Sequence, residues 1–439
     1  MSLVYFKGIY HYLKKDTLGE DFKTLSPSDF CSVPLKVPNV SESEPVVKIG
    51  DEVKAGTLLA KPSSRFGTPI YSPVKGKVLN IFDKLNSQGE HTKHILIMVD
   101  KEKVEYDDMP QLELVNDVNL LARLKDSGIV DSLSNMPSYL KYVFSGSKTY
   151  NQLLIVMDST DPNSSGNETL ARFHIEEVVN GAKYFMNITN AQRVTFVFNE
   201  SNYKLATMLA DHIKENKKSY DYKIKFIPNK YPFDNPYIIA RLIGGKKINK
   251  KTNFLEAGIA IETAESCYNF CKAVEFGKPV THKIVSVGGD NVLRKGNYLV
   301  PIGTSYAELL KEAGVEDEMV EVKLINGNVL SGRGECSDDL SVDLVTNSIV
   351  FMKHEIYMTS KEYPCISCGK CANVCPMLLN PMILDQAYID KDYEKLRKES
   401  VHSCIECGCC SYVCPSKRFL TQRIAAGKVY DKKNKGAKK

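Results

Sequence analysis

The sequence predicts a multidomain protein that joins β and α/β parts and ends in an all-helical domain. Three observations predict it: short strands cut by Gly and Pro near residues 30–100, strands alternating with helices from about 115 to 255, and two cysteine runs of one spacing near the C-terminus. The 439 residues accommodate about two to four domains of ordinary size, each able to bury a core. Hydrophobic residues at 43% and charged residues at 25% exclude wholesale disorder. The 58 Lys and Arg exceed the 53 Asp and Glu too slightly to suggest a nucleic-acid partner. No apolar run reaches the roughly eighteen residues of a transmembrane segment, and Lys7 and His11 interrupt the first apolar stretch too early for an export signal. The expectation is a soluble cytoplasmic chain.

Between residues 30 and 100, Val46–Leu59 and Tyr71–Val78 alternate apolar and polar residues around turn glycines, as half-buried strands do. This stretch resembles the barrel-sandwich domain of biotinyl and lipoyl carriers. Ser63-Ser64-Arg65-Phe66-Gly67 stands where carriers place their modified lysine, so a structural role is expected. Farther along, Leu114–Leu124 reads as helix, Leu153–Met157 and Arg193–Phe198 as buried strands, and Lys204–Glu215 as an amphipathic helix. Such alternation argues for a parallel sheet with helical layers. Ala257–Phe276 reads as a helix, Lys283–Val342 as short strands, and the chain from Lys361 onward as helices separated by cysteine loops. The lysine-rich end, Lys432–Lys439, reads as a frayed, solvated tail.

The 13 cysteines are odd in number, and nine fall between Cys365 and Cys414, which points to metal rather than disulfides. Cys365, Cys368, Cys371 and Cys375-Pro376 repeat their spacing in Cys404, Cys407, Cys410 and Cys414-Pro415. At this cysteine frequency such a run arises by chance at on the order of one start position in a million. Three thiolates at three-residue intervals wrap three corners of an iron–sulfur cubane, and in two-cluster ferredoxins the fourth cysteine reaches the other cluster. The expected ligands are therefore Cys365, Cys368, Cys371 and Cys414 for one [4Fe–4S] cluster, and Cys404, Cys407, Cys410 and Cys375 for the second. The 28 residues between Cys375 and Cys404 leave room for a helical hairpin, favouring an all-helical two-cluster domain. Structural zinc is the alternative, but it leaves the third cysteine and the Cys-Pro of each run unexplained. Cys409 breaks the spacing and reads as a non-ligating neighbour. Cys31 and Cys336 read as isolated thiols, and Cys267 with Cys271 as a core pair.

The chain resembles the RnfC family, the flavin-linked component of the Rnf complex, which is related to the flavin-bearing subunit of respiratory complex I. The likeness rests on Cys404–Ser416, Cys365–Cys371 and Gly296–Thr304, the last of which looks like a soluble-ligand-binding β-grasp (SLBB) module. The resemblance implies a barrel-sandwich domain over 1–105, an α/β flavin-subunit-like domain over 115–276, an SLBB-like module over 280–355, a helical ferredoxin domain over 360–428 and a basic tail over 429–439. In that family the α/β domain holds FMN and takes hydride from NADH, and the helical domain relays single electrons.

Three segments depart from the family. Ser127-Gly128-Ile129-Val130 is kept, but Asp131–Ser138 replaces a glycine-rich flavin loop. Met157-Asp158-Ser159-Thr160-Asp161-Pro162 stands for its acidic segment, and Tyr231-Pro232 is followed by Phe233-Asp234-Asn235-Pro236 instead of glycines. Glycine lets backbone lie against a phosphate or ring, so its loss is expected to close the pocket. FMN and NADH are then held weakly or not at all. No dinucleotide fingerprint or phosphate loop replaces the site; Gly244-Gly245-Lys246-Lys247 lacks the hydroxyl. The expectation is an electron-transfer protein with two [4Fe–4S] clusters and redox-protein partners. Those partners are membrane Rnf-type subunits, a D-proline reductase (PrdC-like branch) or a cobalamin-reducing system (PduS-like branch), and the proline reductase branch is preferred because the Rnf protein itself would keep the glycines. Two alternatives are an NADH-oxidising flavin subunit and a non-redox iron–sulfur docking or sensing module. His91 and His94 give a weak metal hint, and Asp338-Asp339 and Glu316–Glu321 read as solvated acidic loops.

Overall fold

The computed structural model describes residues 7–10, 15–100, 119–144, 150–216, 221–244, 255–290, 292–315, 322–353 and 361–436. The first β unit packs two sheets. Phe30–Pro34, His91–Val99, Gly76–Leu85 and Glu52–Val53 form a four-stranded antiparallel sheet, opposed by Glu44–Pro45, Leu58–Lys61 and Ile70–Tyr71. Between them Val33, Leu35, Leu59, Val78, Ile95 and Ile97 are fully buried. His91 is exposed and His94 buried on one strand, so their three-residue spacing puts them on opposite faces and forms no metal pair.

Four strands build the parallel sheet, in the order Tyr222–Ile227, Val194–Asn199, Gln152–Val156 and Ile259–Thr263. The two middle strands read as continuous apolar runs because helices cover both faces. On one side Leu153, Ile155, Phe196 and Phe198 meet the helices Ile175–Thr189 and Ala264–Glu275; on the other, Leu154, Val156 and Val197 meet Pro236–Ile243. Gly181 lets the first two helices touch, since a Cβ there would fall 1.9 Å from the Cys267 carbonyl oxygen. Cys267 and Cys271 are buried at that seam as free thiols.

The expected helix over Ala257–Phe276 is only partly right: Ile259–Thr263 is the fourth strand and the helix begins at Ala264. Five fully buried positions beside the first strand outweigh helical spacing there, and Thr263 caps the helix by accepting from the Ser266 N–H. Leu120–Asp126 is helical, while most of the rest of the Leu114–Leu124 stretch lies outside the described residues, as do Glu316–Glu321 and Gly245–Lys247.

A third sheet runs Lys23–Thr24, Gly296–Pro301, His282–Gly289, Ser348–Lys353, Val322–Asn326 and Arg333–Glu335. Helix Tyr306–Glu312 packs on it, started by a capping box between Ser305 and Glu308 that sequence reading passed over. Asn297 locks this sheet to the parallel one, donating to Thr17 O, Ser165 Oγ and Thr169 Oγ1 at 3.2, 3.0 and 2.8 Å. The C-terminal part holds helices Lys370–Val374, Pro381–Ile389, Tyr393–Lys398, Cys409–Tyr412 and Leu420–Gly436. That last helix takes in residues through Gly436 that read as tail, because Leu420 and Ile424 bury its first turns. No helix among the described residues is long and apolar enough to cross a membrane.

Candidate functional site

The two cysteine runs fold alike. Ser367 and Glu406 take φ of 54° and 57°, Gly369 and Gly408 take 73° and 80°, and Leu378 and Lys417 take 56° and 52°. These left-handed residues curl each loop around its own thiols. Ser367 N–H donates to Cys365 Sγ and Glu406 N–H to Cys404 Sγ, both at 3.4 Å, and Leu379 N–H donates to Cys375 Sγ at 3.3 Å.

Each run surrounds a small pocket together with one cysteine of the other. Cys365, Cys368, Cys371 and Cys414 line the outer pocket, with Met382, Pro415 and Leu420. Cys404, Cys407, Cys410 and Cys375 line the inner one, with Met377, Leu379 and Ile424. The eight sequence-predicted residues thus fall in two groups of four. Cys365 and Cys368 are exposed, whereas Cys375 and Cys410 are buried. Burial pushes the thiols of Cys404 and Cys410 up to about 11 and about 12. Cys409 is fully buried beside the inner pocket, and its hydrogen bond with Cys407 holds Cys407 below the ordinary thiol range.

A cavity of about 370 Å³ opens beyond the carboxyl ends of the parallel strands. Its strand order reverses between Gln152–Val156 and Ile259–Thr263, the crevice where doubly wound sheets take ligands. Asp158, Asp161, Asp234, Glu265, Ser132, Asn135 and Tyr231 line it. The expectation that loss of glycines closes this pocket is therefore corrected: polar side chains hold the walls apart. Asp158 accepts from Asn199 N–H at 2.7 Å and Asn202 Nδ2 at 2.8 Å, and Asp234 accepts from Ser159 Oγ at 2.7 Å. Burial raises Asp158 and Asp161 to about 6. Lys15 reaches in from the N-terminal segment to bond Glu168 and the Ser159 carbonyl, a long-range contact without a local sequence signal.

The segment that replaces the glycine-rich loop is a tight hairpin, Val130–Asp131 against Met136–Pro137. The Asp131 carboxylate accepts from the N–H groups of Leu133 and Ser134 at 3.3 and 2.9 Å and from Ser134 Oγ at 2.6 Å. The Asn135 N–H donates to the Asp131 carbonyl. Lys141 sits 3.0 Å from both Asp131 and Glu262, and these carboxylates outweigh its burial and raise its pKa.

The cavity and the inner pocket share Ile405 and Cys407 as walls. Tyr231 Oη donates to the Cys407 carbonyl at 2.8 Å and bridges the two sites.

Comparison with known proteins follows the same division. Residues 5–102 match the RnfC barrel sandwich hybrid domain, 124–272 the Nuo51 FMN-binding domain and 357–415 a 4Fe-4S dicluster domain. The RnfC-type component of the proton-translocating ferredoxin:NAD(+) oxidoreductase complex of Clostridium ljungdahlii is 25% identical over 88% of this chain and 84% of its own. Its equivalent in the ion-translocating oxidoreductase complex of Rhodobacter capsulatus is 26% identical over 89% of this chain and 76% of its own. A solved NAD+-reducing [NiFe]-hydrogenase superposes with a TM-score of 0.47 at 12% identity, over 64% of this chain and 54% of that one. With three domain matches in this order and relatives aligned along more than four fifths of its length, the chain belongs to the RnfC-like proteins.

Proposed function

We propose that this chain is an electron-transfer subunit that passes single electrons through two [4Fe–4S] clusters. Cys365, Cys368, Cys371 and Cys414 would hold the outer cluster, and Cys404, Cys407, Cys410 and Cys375 the inner one. The observation that carries the reading is the pair of pockets, each lined by three cysteines of one run and the fourth of the other. A bound cluster supplies reversible one-electron chemistry; the chain supplies thiolates, N–H donors at sulfur and an apolar surround. Among the described residues no three Cys, His, Asp or Glu converge as they would on a single ion, which favours cubanes over zinc.

The α/β cavity does not fit a flavin phosphate well. The N–H donors of Leu133 and Ser134, which a phosphate would use, are taken by Asp131, and the walls carry Asp158, Asp161, Asp234 and Glu265. These features support a lost FMN and NADH site. The second reading, an NADH-oxidising flavin subunit, draws on the open cavity and its shared wall with the inner pocket. The relatives' names favour membrane Rnf-type partners over proline reductase, with this chain peripheral to the membrane. Residues 1–105, 115–276, 280–355 with the SLBB-like sheet, and 360–428 would act as the separate parts.

Anaerobic purification with iron, sulfide and flavin quantified per chain tests the reading. Eight iron and eight sulfide without flavin are expected for two cubanes, that is about four of each per cluster. A colourless or zinc-loaded chain would end it. Flavin released on denaturation, with NADH bleaching the cluster absorbance, would establish the second reading instead.

A further inference from the structure

The two cysteine runs are repeats, yet their surroundings differ. Ile405, between Cys404 and Cys407, is half-buried against the α/β body and the helical core. Its counterpart Ile366, between Cys365 and Cys368, is 66% exposed. Tyr363 and Phe419 beside it are 56% and 49% exposed. The backbone bond from Tyr363 N–H to Ser416 O at 3.0 Å brings the segment before the first run against the end of the second, so these side chains share the rim of the outer pocket.

Charge on that rim is one-sided. Lys361, Lys370 and Lys417 are exposed, and no ion pair to any of them is found among the described residues. The nearby acids are already taken: Glu362 and Asp385 pair with Arg418 and Arg423 at 2.5 to 3.8 Å. What remains is an apolar centre over an exposed pair of cysteines, ringed by lysines.

We infer that this rim is the docking face for a small acidic electron-carrier protein, which covers Ile366 as the α/β body covers Ile405. The inference rests on the relay proposed above and names its partner at the outer end. Apolar contact around Ile366 brings the carrier's cluster or flavin close, and lysines steer an acidic surface there from solution. One electron crosses per encounter: the carrier is oxidised and the outer cluster reduced, or the reverse, with no bond made or broken.

The test uses the full chain with its clusters, a dithionite-reduced small acidic ferredoxin as protein probe and the methyl viologen radical as small-molecule probe, both in stopped flow. The double variant Lys361→Glu and Lys417→Glu should slow reduction by ferredoxin about tenfold or more, and the rate should lose its dependence on ionic strength. Viologen reduction should stay within twofold of the parent, and Lys361→Arg with Lys417→Arg should restore the ferredoxin rate. Ile366→Ser should slow ferredoxin alone. An unchanged ferredoxin rate in the charge-reversed chain overturns the inference. So does an equal loss with both reductants, or lysine-dependent sedimentation with phosphatidylserine vesicles in place of ferredoxin binding. Viologen failing to reduce the unmodified chain would instead remove the relay itself.

Discussion

Gly369 and Gly408 occupy the same place in the two cysteine runs, so replacing each by alanine separates backbone strain from crowding. Both sit at positive φ, 73° and 80°, where an L-residue costs about 1–2 kcal/mol. A Cβ at Gly369 meets nothing within 4 Å. At Gly408 it would lie 2.1 Å from the carbonyl oxygen of Leu330, in the turn linking Val322–Asn326 to Arg333–Glu335. Ordinary contact begins near 3.4 Å, so one backbone or the other must retreat by about 1.3 Å. Overpacking of this kind adds about 1–3 kcal/mol, and the retreat drags Cys407 with it. Gly369→Ala should therefore keep both clusters with a modest fall in the thermal midpoint of cluster bleaching. Gly408→Ala should lower that midpoint two to three times as far and shed iron from the inner site first. Iron and sulfide per chain, read with the bleaching curve under anaerobic conditions, decide it. Equal losses from the two variants would refute the reasoning.

Cys407→Ala should remove about half of the iron and sulfide while circular dichroism of the N-terminal sheets is kept; full retention of both would refute the ligand assignment. Asp131→Ala leaves Lys141 facing Glu262 alone and frees the hairpin N–H groups, with an expected loss of about 3–5 kcal/mol by denaturant unfolding; a change below 1 kcal/mol would mean the network is slack. Asp158 and Asp161 have folded values of about 6 against 3.8 unfolded, so the folded chain holds more protons between these limits. Stability should fall as pH rises through that window, by about 3 kcal/mol per group at most, and unfolding free energies that rise from pH 4 to pH 6 in the Asp158→Asn, Asp161→Asn comparison would contradict it.

The ligand runs were legible because cluster spacing is a local property of eleven residues, and the pockets follow from it directly. The parallel sheet was legible as alternation, since its middle strands are apolar throughout. Its fourth strand was misread because Ile259–Thr263 runs straight into a helix of similar hydrophobicity. The open cavity was missed for another reason. Glycine loss was weighed, but the acidic hydrogen-bond network of Asp158, Asp161 and Asp234 holds its walls through partners scattered from Lys15 to Asn202, and no short window contains them. Asp131 filling the hairpin's donors was visible only once the turn geometry was known.

The N-terminal segment has a practical consequence. Lys15 neutralises Glu168, Asp21 lies 3.1 Å from His174, and Lys23–Thr24 zips onto Gly296–Pro301. A recombinant fragment trimmed to the flavin-type region alone would strand a carboxylate in its interior and leave a sheet edge bare. Anyone cutting this gene for expression should keep the leading residues attached, because they act as the strap that fastens the middle of the molecule.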